Sequence, residues 1–145
     1  MFAADIADQA DAVVWYAAAD RALADTLAAV LRQRGLKVWQ RRPALRRADR
    51  LAELSAALRG ARLAVVVVGK RQLAAQGDQL EEWTLLQDAA WRTANPLRLA
   101  TLAAGRVRVP DFLQDVPRFS AAALAAKPQT ADTLAALAVR AQAGP

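Results

Sequence analysis

Apolar residues in this chain come in two patterns, short unbroken runs and longer stretches at helical spacing. Ala12 to Ala17 (AVVWYA) is an unbroken run bounded by Asp11 and Asp20, which reads as a buried strand. Asp20 is a good cap for the stretch that follows, where Leu23, Leu27, Val30 and Leu31 recur at helical spacing and Gly35 supplies the stop. Leu36 to Gln40 reads as a second short strand, built on Val38 and Trp39. Arg41 to Ala48, with Pro43 inside it, reads as a loop, and Asp49 then caps a second helix carrying Leu51, Leu54 and Leu58, with Gly60 near its end. Leu63 to Val68 (LAVVVV) is the clearest strand. Its continuous β-branched run predicts burial on both faces, as in a central parallel strand.

The second half continues the alternation. Gly69 to Asp78 is polar and predicts irregular chain, with a helical turn as the alternative. Gln79 to Thr93 reads as a helix with Leu80, Trp83, Leu86, Ala90 and Trp91, stopped by Asn95-Pro96. Leu80 and Trp83 are expected on one face, Trp83 in the core, and Trp91 in the core or at an interface. Leu97 to Ala103 reads as a fourth strand. Pro110 and Pro117 bracket a loop with one turn, Arg118 to Ser120 is a brief edge strand, and a last helix starts at Thr130 or Thr133 and runs to Gln142. Leu134, Leu137 and Val139 are its candidate inward positions, and Ala143 to Pro145 is expected to fray. The order β-α-β-α-β-α-β-(β)-α predicts an α/β fold: a flavodoxin-like three-layer sandwich with a four- or five-stranded parallel sheet. Ligands in such sheets sit beyond the carboxyl ends of the strands, here the loops 17–19, 41–48 and 69–78.

At 145 residues the chain is the size of one domain, expected to fill 1–145 with a core over about 11–142. It contains no cysteine and no histidine. Disulfides, thiolate metal sites, Ser-His-Asp and Cys-His catalysis and imidazole switching are therefore excluded, and any acid–base chemistry falls to a carboxylate, Lys or Tyr. No basic segment followed by an apolar run opens the sequence, and no run approaches membrane-spanning length. The expectation is a cytoplasmic protein with no membrane partner. The net charge of +6 is locally concentrated: Arg41, Arg42, Arg46, Arg47 and Arg50 stand against Asp49 alone, +4 in ten residues. Such a cluster attracts phosphates or a neighbouring subunit, while a solvated loop is the plainer reading. Helix-turn-helix and zinc-finger spacings are missing and the cluster holds no aromatic residue, so nucleic acid is not the expected partner. The glycine-rich dinucleotide fingerprint and the phosphate-binding loop are both missing after the first strand, where Ala17-Ala18-Ala19-Asp20 follows Tyr16.

Five ordered pieces of the sequence are similar to those of bacterial TIR (Toll/interleukin-1 receptor) domains, over about residues 11 to 120. They are Trp15-Tyr16-Ala17-Ala18-Ala19-Asp20, Gly35-Leu36-Lys37-Val38-Trp39, the variable loop Gln40 to Asp49, the strand Leu63 to Val68, and Glu82-Trp83 in the following helix. The resemblance implies cleavage of NAD, as substrate rather than cofactor, at the nicotinamide–ribose bond. It implies activation by self-assembly into a homo-oligomer through TIR–TIR contacts, a sensor domain or protein outside these 145 residues, and a place in bacterial anti-phage defence. Glu82 would then be the catalytic carboxylate, stabilising the cation that develops on the ribose, with Glu81 the competing assignment. Tyr16, Ala17, Trp39, Arg41 and Gly69 would face the substrate, and Arg42, Arg46 and Arg47 a neighbouring subunit. No metal is implied. From the residues alone, a glutamate pair near a helix start is as readily a solvated, dipole-favoured pair, and Tyr16 and Trp39 are as readily packing residues as stacking platforms. The chain departs from the family pattern at Ala17 and Gly69, where serines are usual, and at Arg41-Arg42, where an acidic residue is common. It departs again at Ala48 in place of a glycine and at Asp78 in place of an aromatic residue. A non-catalytic TIR domain, acting through protein–protein contacts and signalling, is the alternative that these positions keep open.

Overall fold

The computed structural model describes residues 9–69 and 77–142. Strands β1 (Ala12–Trp15), β2 (Val38–Gln40), β3 (Leu63–Val68), β4 (Arg98–Ala103) and β5 (Arg118–Ser120) form one sheet in the order β2-β1-β3-β4-β5. Every pairing is parallel, from Val13 opposite Trp39 at one edge to Leu102 opposite Phe119 at the other. Helices α1 (Arg21–Gln33), α2 (Arg47–Gly60), α3 (Gly77–Ala90), α4 (Ala121–Ala126) and α5 (Pro128–Gln142) cover both faces. The molecule is the α/β, flavodoxin-like three-layer sandwich that the strand–helix alternation predicts.

The period of two along each strand divides the core. Ala64, Val66 and Val68 of β3 join Val13, Trp15 and Trp39 under α2 and α3, where they meet Leu54, Ala57, Leu58, Trp83 and Leu86. Leu63, Val65 and Val67 point the other way with Val14, Tyr16 and Val38, under α1, α4 and α5, against Leu27, Leu31, Leu124 and Leu134. All six side chains of β3 are buried, as its unbroken apolar run requires.

Helix α1 ends where glycine permits it. Gly35 adopts φ +86°, its N–H donates to the Arg32 carbonyl and the Leu36 N–H donates to the Leu31 carbonyl, so the last turn's free carbonyls are satisfied. Four local expectations need correction. Helix α2 starts at Arg47 rather than after Asp49. Arg46 stands in the cap position without a side-chain cap bond and Asp49 falls in the first turn, because that turn is fixed by side chains reaching α3. The last helical region starts earlier and in two pieces. Ser120 caps α4 by accepting the Ala123 N–H at 3.3 Å, and Pro128 opens α5, where its missing N–H costs nothing. The alanine run of α4 has only Leu124 as a buried anchor, which is why apolar spacing does not reveal it.

The third correction concerns Leu80, which is exposed, and the core alternative for Trp91, which is 85% exposed. The buried arc of α3 holds Glu82, Trp83, Leu86 and Ala89. At about 100° per residue Leu80 and Trp91 fall roughly opposite its centre. Finally, Asp20 occupies the cap position of α1, behind a short 3-10 turn at Ala18–Asp20, but makes no side-chain cap bond. The expectations for the loop 70–76, for the side chains of Asp78 and Val139, and for residues 143–145 lie outside the described residues.

The Gly35 turn generates a clean prediction. Nothing lies within 4 Å of a methyl group added at Gly35, so the cost of Gly35→Ala is purely conformational. Urea denaturation should show a loss of about 1 kcal/mol with an unchanged slope.

Candidate functional site

The strand order reverses direction between β1 and β3, which puts the switch-point crevice at the carboxyl ends of these strands. Three chain segments converge there: Trp15 to Asp20 after β1, Arg41 after β2 and Gly69 after β3. The side of the sheet facing α3 carries the charged centre. Glu82, in the second turn of α3, is only 1% exposed, and Arg41 is 5% exposed. The Arg41 guanidinium grips the Glu82 carboxylate with two hydrogen bonds, Nε to Oε1 and Nη2 to Oε2, both 2.7 Å. Its third nitrogen, Nη1, donates to the Tyr16 carbonyl at 2.9 Å. The guanidinium carbon lies 4.6 Å from the centre of the Trp15 ring, within cation–π range. The Trp15 indole N–H donates to Glu82 Oε1 at 3.3 Å, and Arg50 Nε stands 3.7 Å from Oε2.

The sequence builds this centre locally. Trp15 is the last residue of β1 on the α2/α3 side, and Trp83 meets it edge-on with ring centres 5.7 Å apart. Trp83 in turn leans on Phe112 at 5.2 Å. Arg41 leaves β2 with its N–H on the Val14 carbonyl at 2.9 Å, so its side chain starts level with β1 and reaches inward. A fork of planar donors fits a carboxylate in a way that a lysine cannot.

The structure brings together only part of the set named from sequence. Glu82, Arg41 and the backbone of Tyr16 meet directly. The Tyr16 ring, 4% exposed, packs on the opposite face of the sheet, beside α1 and α5. Trp39, 3% exposed, packs under α2 and donates its indole N–H to Glu53 at 3.2 Å. Both rings are therefore committed to packing. Ala17 is half-buried at the start of the 3-10 turn, where its carbonyl accepts the Asp20 N–H at 2.8 Å. Gly69 is buried, and a methyl group there would stand 1.7 Å from Asp20 Oδ1. A glycine is needed at the end of β3 because the Asp20 side chain occupies that space. Glu81, the competing carboxylate, is partly exposed and pairs with Arg47.

The Arg41 to Arg50 cluster is not one solvated loop. Arg41 and most of Arg50 turn inward to Glu82, whereas Arg42 reaches Glu53 at 3.3 Å and Arg46 stands in solvent 3.7 Å from Asp49. Arg42, Arg46 and Arg47 are the exposed members. Sequence reasoning missed Trp15 and Arg50 as members of the centre, and Asp20 as the neighbour that requires a glycine at position 69. Trp15 carries a signal in its strand alternation, which assigns it to one face. Nothing in the sequence pairs Arg41 with a residue 41 positions away. Among the described residues, no cluster of acidic side chains is placed to hold a metal ion.

The family model for the TIR domain matches residues 13–137. The chain belongs to the TIR domain family. Comparison with curated proteins found no match. In this TIR domain the Glu82 carboxylate is a full partner in a buried ion pair. No helix among the described residues is long and apolar enough to cross a membrane.

Chemically, the Arg41–Glu82 pair is a satisfied one. Glu82 accepts on both oxygens, and the adjoining guanidinium cancels its charge at contact distance. A buried pair of this kind is costly to break from one side, since the remaining charge is stranded. Glu82→Gln should therefore destabilise this TIR domain by about 3 kcal/mol in urea denaturation. The charge-free double variant Arg41→Met/Glu82→Leu should be more stable than Glu82→Gln by at least about 1 kcal/mol. Equal stability of the two would show that the pair is not the source of the effect.

Proposed function

We propose that this TIR domain acts as a protein–protein interaction and signalling module that associates with other TIR domains, and that it does not cleave NAD. The observation that carries this reading is the state of Glu82, which is 1% exposed and held by Arg41 through two 2.7 Å bonds. Cleavage of the nicotinamide–ribose bond calls for a carboxylate whose charge faces the developing cation on the sugar. Here that charge faces a guanidinium, and Trp15 and Arg50 flank it. The substrate-facing rings expected from resemblance, Tyr16 and Trp39, are spent on the core.

What supports association is the surface left over. Arg42, Arg46 and Arg47 sit together around the start of α2 and are exposed. Exposed charge of this kind steers encounters and fixes register more than it contributes raw affinity. The partner is a second TIR domain, of this chain or of a sensor protein that carries one. A role in bacterial defence belongs to the same proposal, with the chain as a signalling part rather than the toxic enzyme.

Two measurements test the reading. Sedimentation velocity over a concentration series should show association that weakens as salt shortens the screening length below about 10 Å, its value at 0.1 M. Arg42→Ser/Arg46→Ser should weaken it roughly thirtyfold or less, in keeping with exposed charges worth about 1 kcal/mol or less each. Nicotinamide release from NAD, measured at high protein concentration and with the domain clustered on a scaffold, should stay at the no-protein level. Release by the wild type that Glu82→Gln abolishes would overturn the proposal in favour of NAD cleavage. Monomeric behaviour at all concentrations, alone and on the scaffold, would remove the association half.

A further inference from the structure

We infer that the segment 106–109, which follows β4, is a docking edge for an extended strand of an acidic partner protein, one that carries a carboxylate at every second position. The inference needs neither the Arg42, Arg46 and Arg47 surface, which follows β2 beyond β1 and β3 in the sheet order, nor any reading of Glu82.

The chain leaves β4 at Ala103, and Gly105, at φ +86°, turns it off the line of the strand. From residue 107 to 110 it makes no turn or bend. Pro110 is extended, at φ −56° and ψ 153°, and a residue that precedes proline favours extended backbone, as Val109 does. Burial alternates as along a strand. Val107 and Val109 turn in to the core under α2 and α3, while Arg106 and Arg108 are exposed.

Backbone bonding alternates in the same way, since neighbours in an extended chain direct their N–H and C=O groups to opposite sides. On the inner side the carbonyls of Gly105 and Val107 accept from Arg118 Nη2 at 3.4 and 2.9 Å, and the Val109 carbonyl accepts from Gln114 Nε2 at 2.8 Å. The outer side belongs to Arg106 and Arg108. Among the described residues, their backbone N–H and C=O groups bond to no protein group. Two donors and two acceptors on one side of an extended segment are what an added strand pairs with.

The side chains define what that strand carries. Among the described residues, the Arg106 and Arg108 guanidiniums have no ion pair, and neither Asp111 nor Asp115, the nearest carboxylates along the chain, reaches them. On an added strand the residues opposite Arg106 and Arg108 stand about 5 Å from them between Cβ atoms, so a carboxylate at each is attracted and a cation repelled. The residue between those two points to the face of Val107, which is partly buried, and is apolar. A second copy's Arg42, Arg46 and Arg47 would meet like charge here, so that surface is not the occupant.

The test uses the whole chain and a blocked, fluorescent peptide of alternating glutamate and valine. Fluorescence anisotropy at low salt should show saturable binding, weakened about tenfold by Arg106→Ser/Arg108→Ser. The same peptide with methylated backbone nitrogens should not bind, and neither should one with lysine in place of glutamate. Amide exchange followed by NMR should slow about tenfold at Arg106 and Arg108, with peptide at roughly ten times its Kd, and stay unchanged at Val107. No binding of the parent peptide overturns the inference. Equal binding of the methylated peptide, or unchanged exchange at Arg106 and Arg108, overturns strand pairing and the inference with it. Equal binding of the lysine peptide, or of a single-stranded DNA oligonucleotide of the same charge, overturns the acidic strand as the occupant.

Discussion

The bidentate ion pair between Arg41 and Glu82 constrains everything at the carboxyl edge of the sheet on the α2/α3 side. Two opposite charges have been taken out of water there, and the cost of doing so is met only while both are present and fully hydrogen-bonded. That condition propagates. Glu82 must lie on the inner arc of α3, which rotates the helix so that Leu80 and Trp91 face outward. Arg41 must turn inward directly after β2, and the first turn of α2 must stand close enough for Arg47 and Arg50 to reach Glu81 and Glu82.

Around this polar centre the apolar core is ordinary in its logic and divided in two by the sheet. The α1/α5 side is closed by aliphatic packing on Val14, Val65 and Val67. The α2/α3 side contains the ion pair and is correspondingly richer in aromatic residues, with Trp15, Trp83 and Phe112 in a continuous cluster of edge-on and tilted contacts. Indole and phenyl faces suit the neighbourhood of a buried guanidinium, because they offer apolar area together with a polarisable face. The functional reading follows from the same arrangement. A carboxylate locked against an internal cation has its charge spent within the fold.

The surface shows what the centre leaves unused. Arg42, Arg46 and Arg47 gather at one end of α2, and Trp91 stands in solvent at the far end of α3. Among the described residues an exposed tryptophan has more contact energy to offer a partner than any other single surface residue, whereas arginines in solvent set orientation and approach. Both features suit a domain that works by contact.

The architecture was legible in the sequence because it rests on local signals. The unbroken run Leu63 to Val68 announced a strand buried on both faces, Gly35 announced a left-handed helix stop, and the alternation of strands with helices announced a parallel sheet. The chemistry was legible only as a roster. Glu82, Arg41 and Tyr16 could be named from the resemblance, but Glu82 was equally readable as a solvated residue and Arg41 as part of a solvated cluster. Charge counted along the chain says nothing of where a guanidinium points. The tertiary structure decided that Arg41 crosses to Glu82, that Trp15 supplies the face beneath it, and that Tyr16 contributes its carbonyl rather than its ring. It also decided that Gly69 is a glycine to make room for Asp20. The physical reason is the same in each case. Strand and helix formation depends on neighbours a few positions away, which the sequence lists in order. A buried ion pair depends on the meeting of residues 41 positions apart, and only the folded sheet brings them within 2.7 Å.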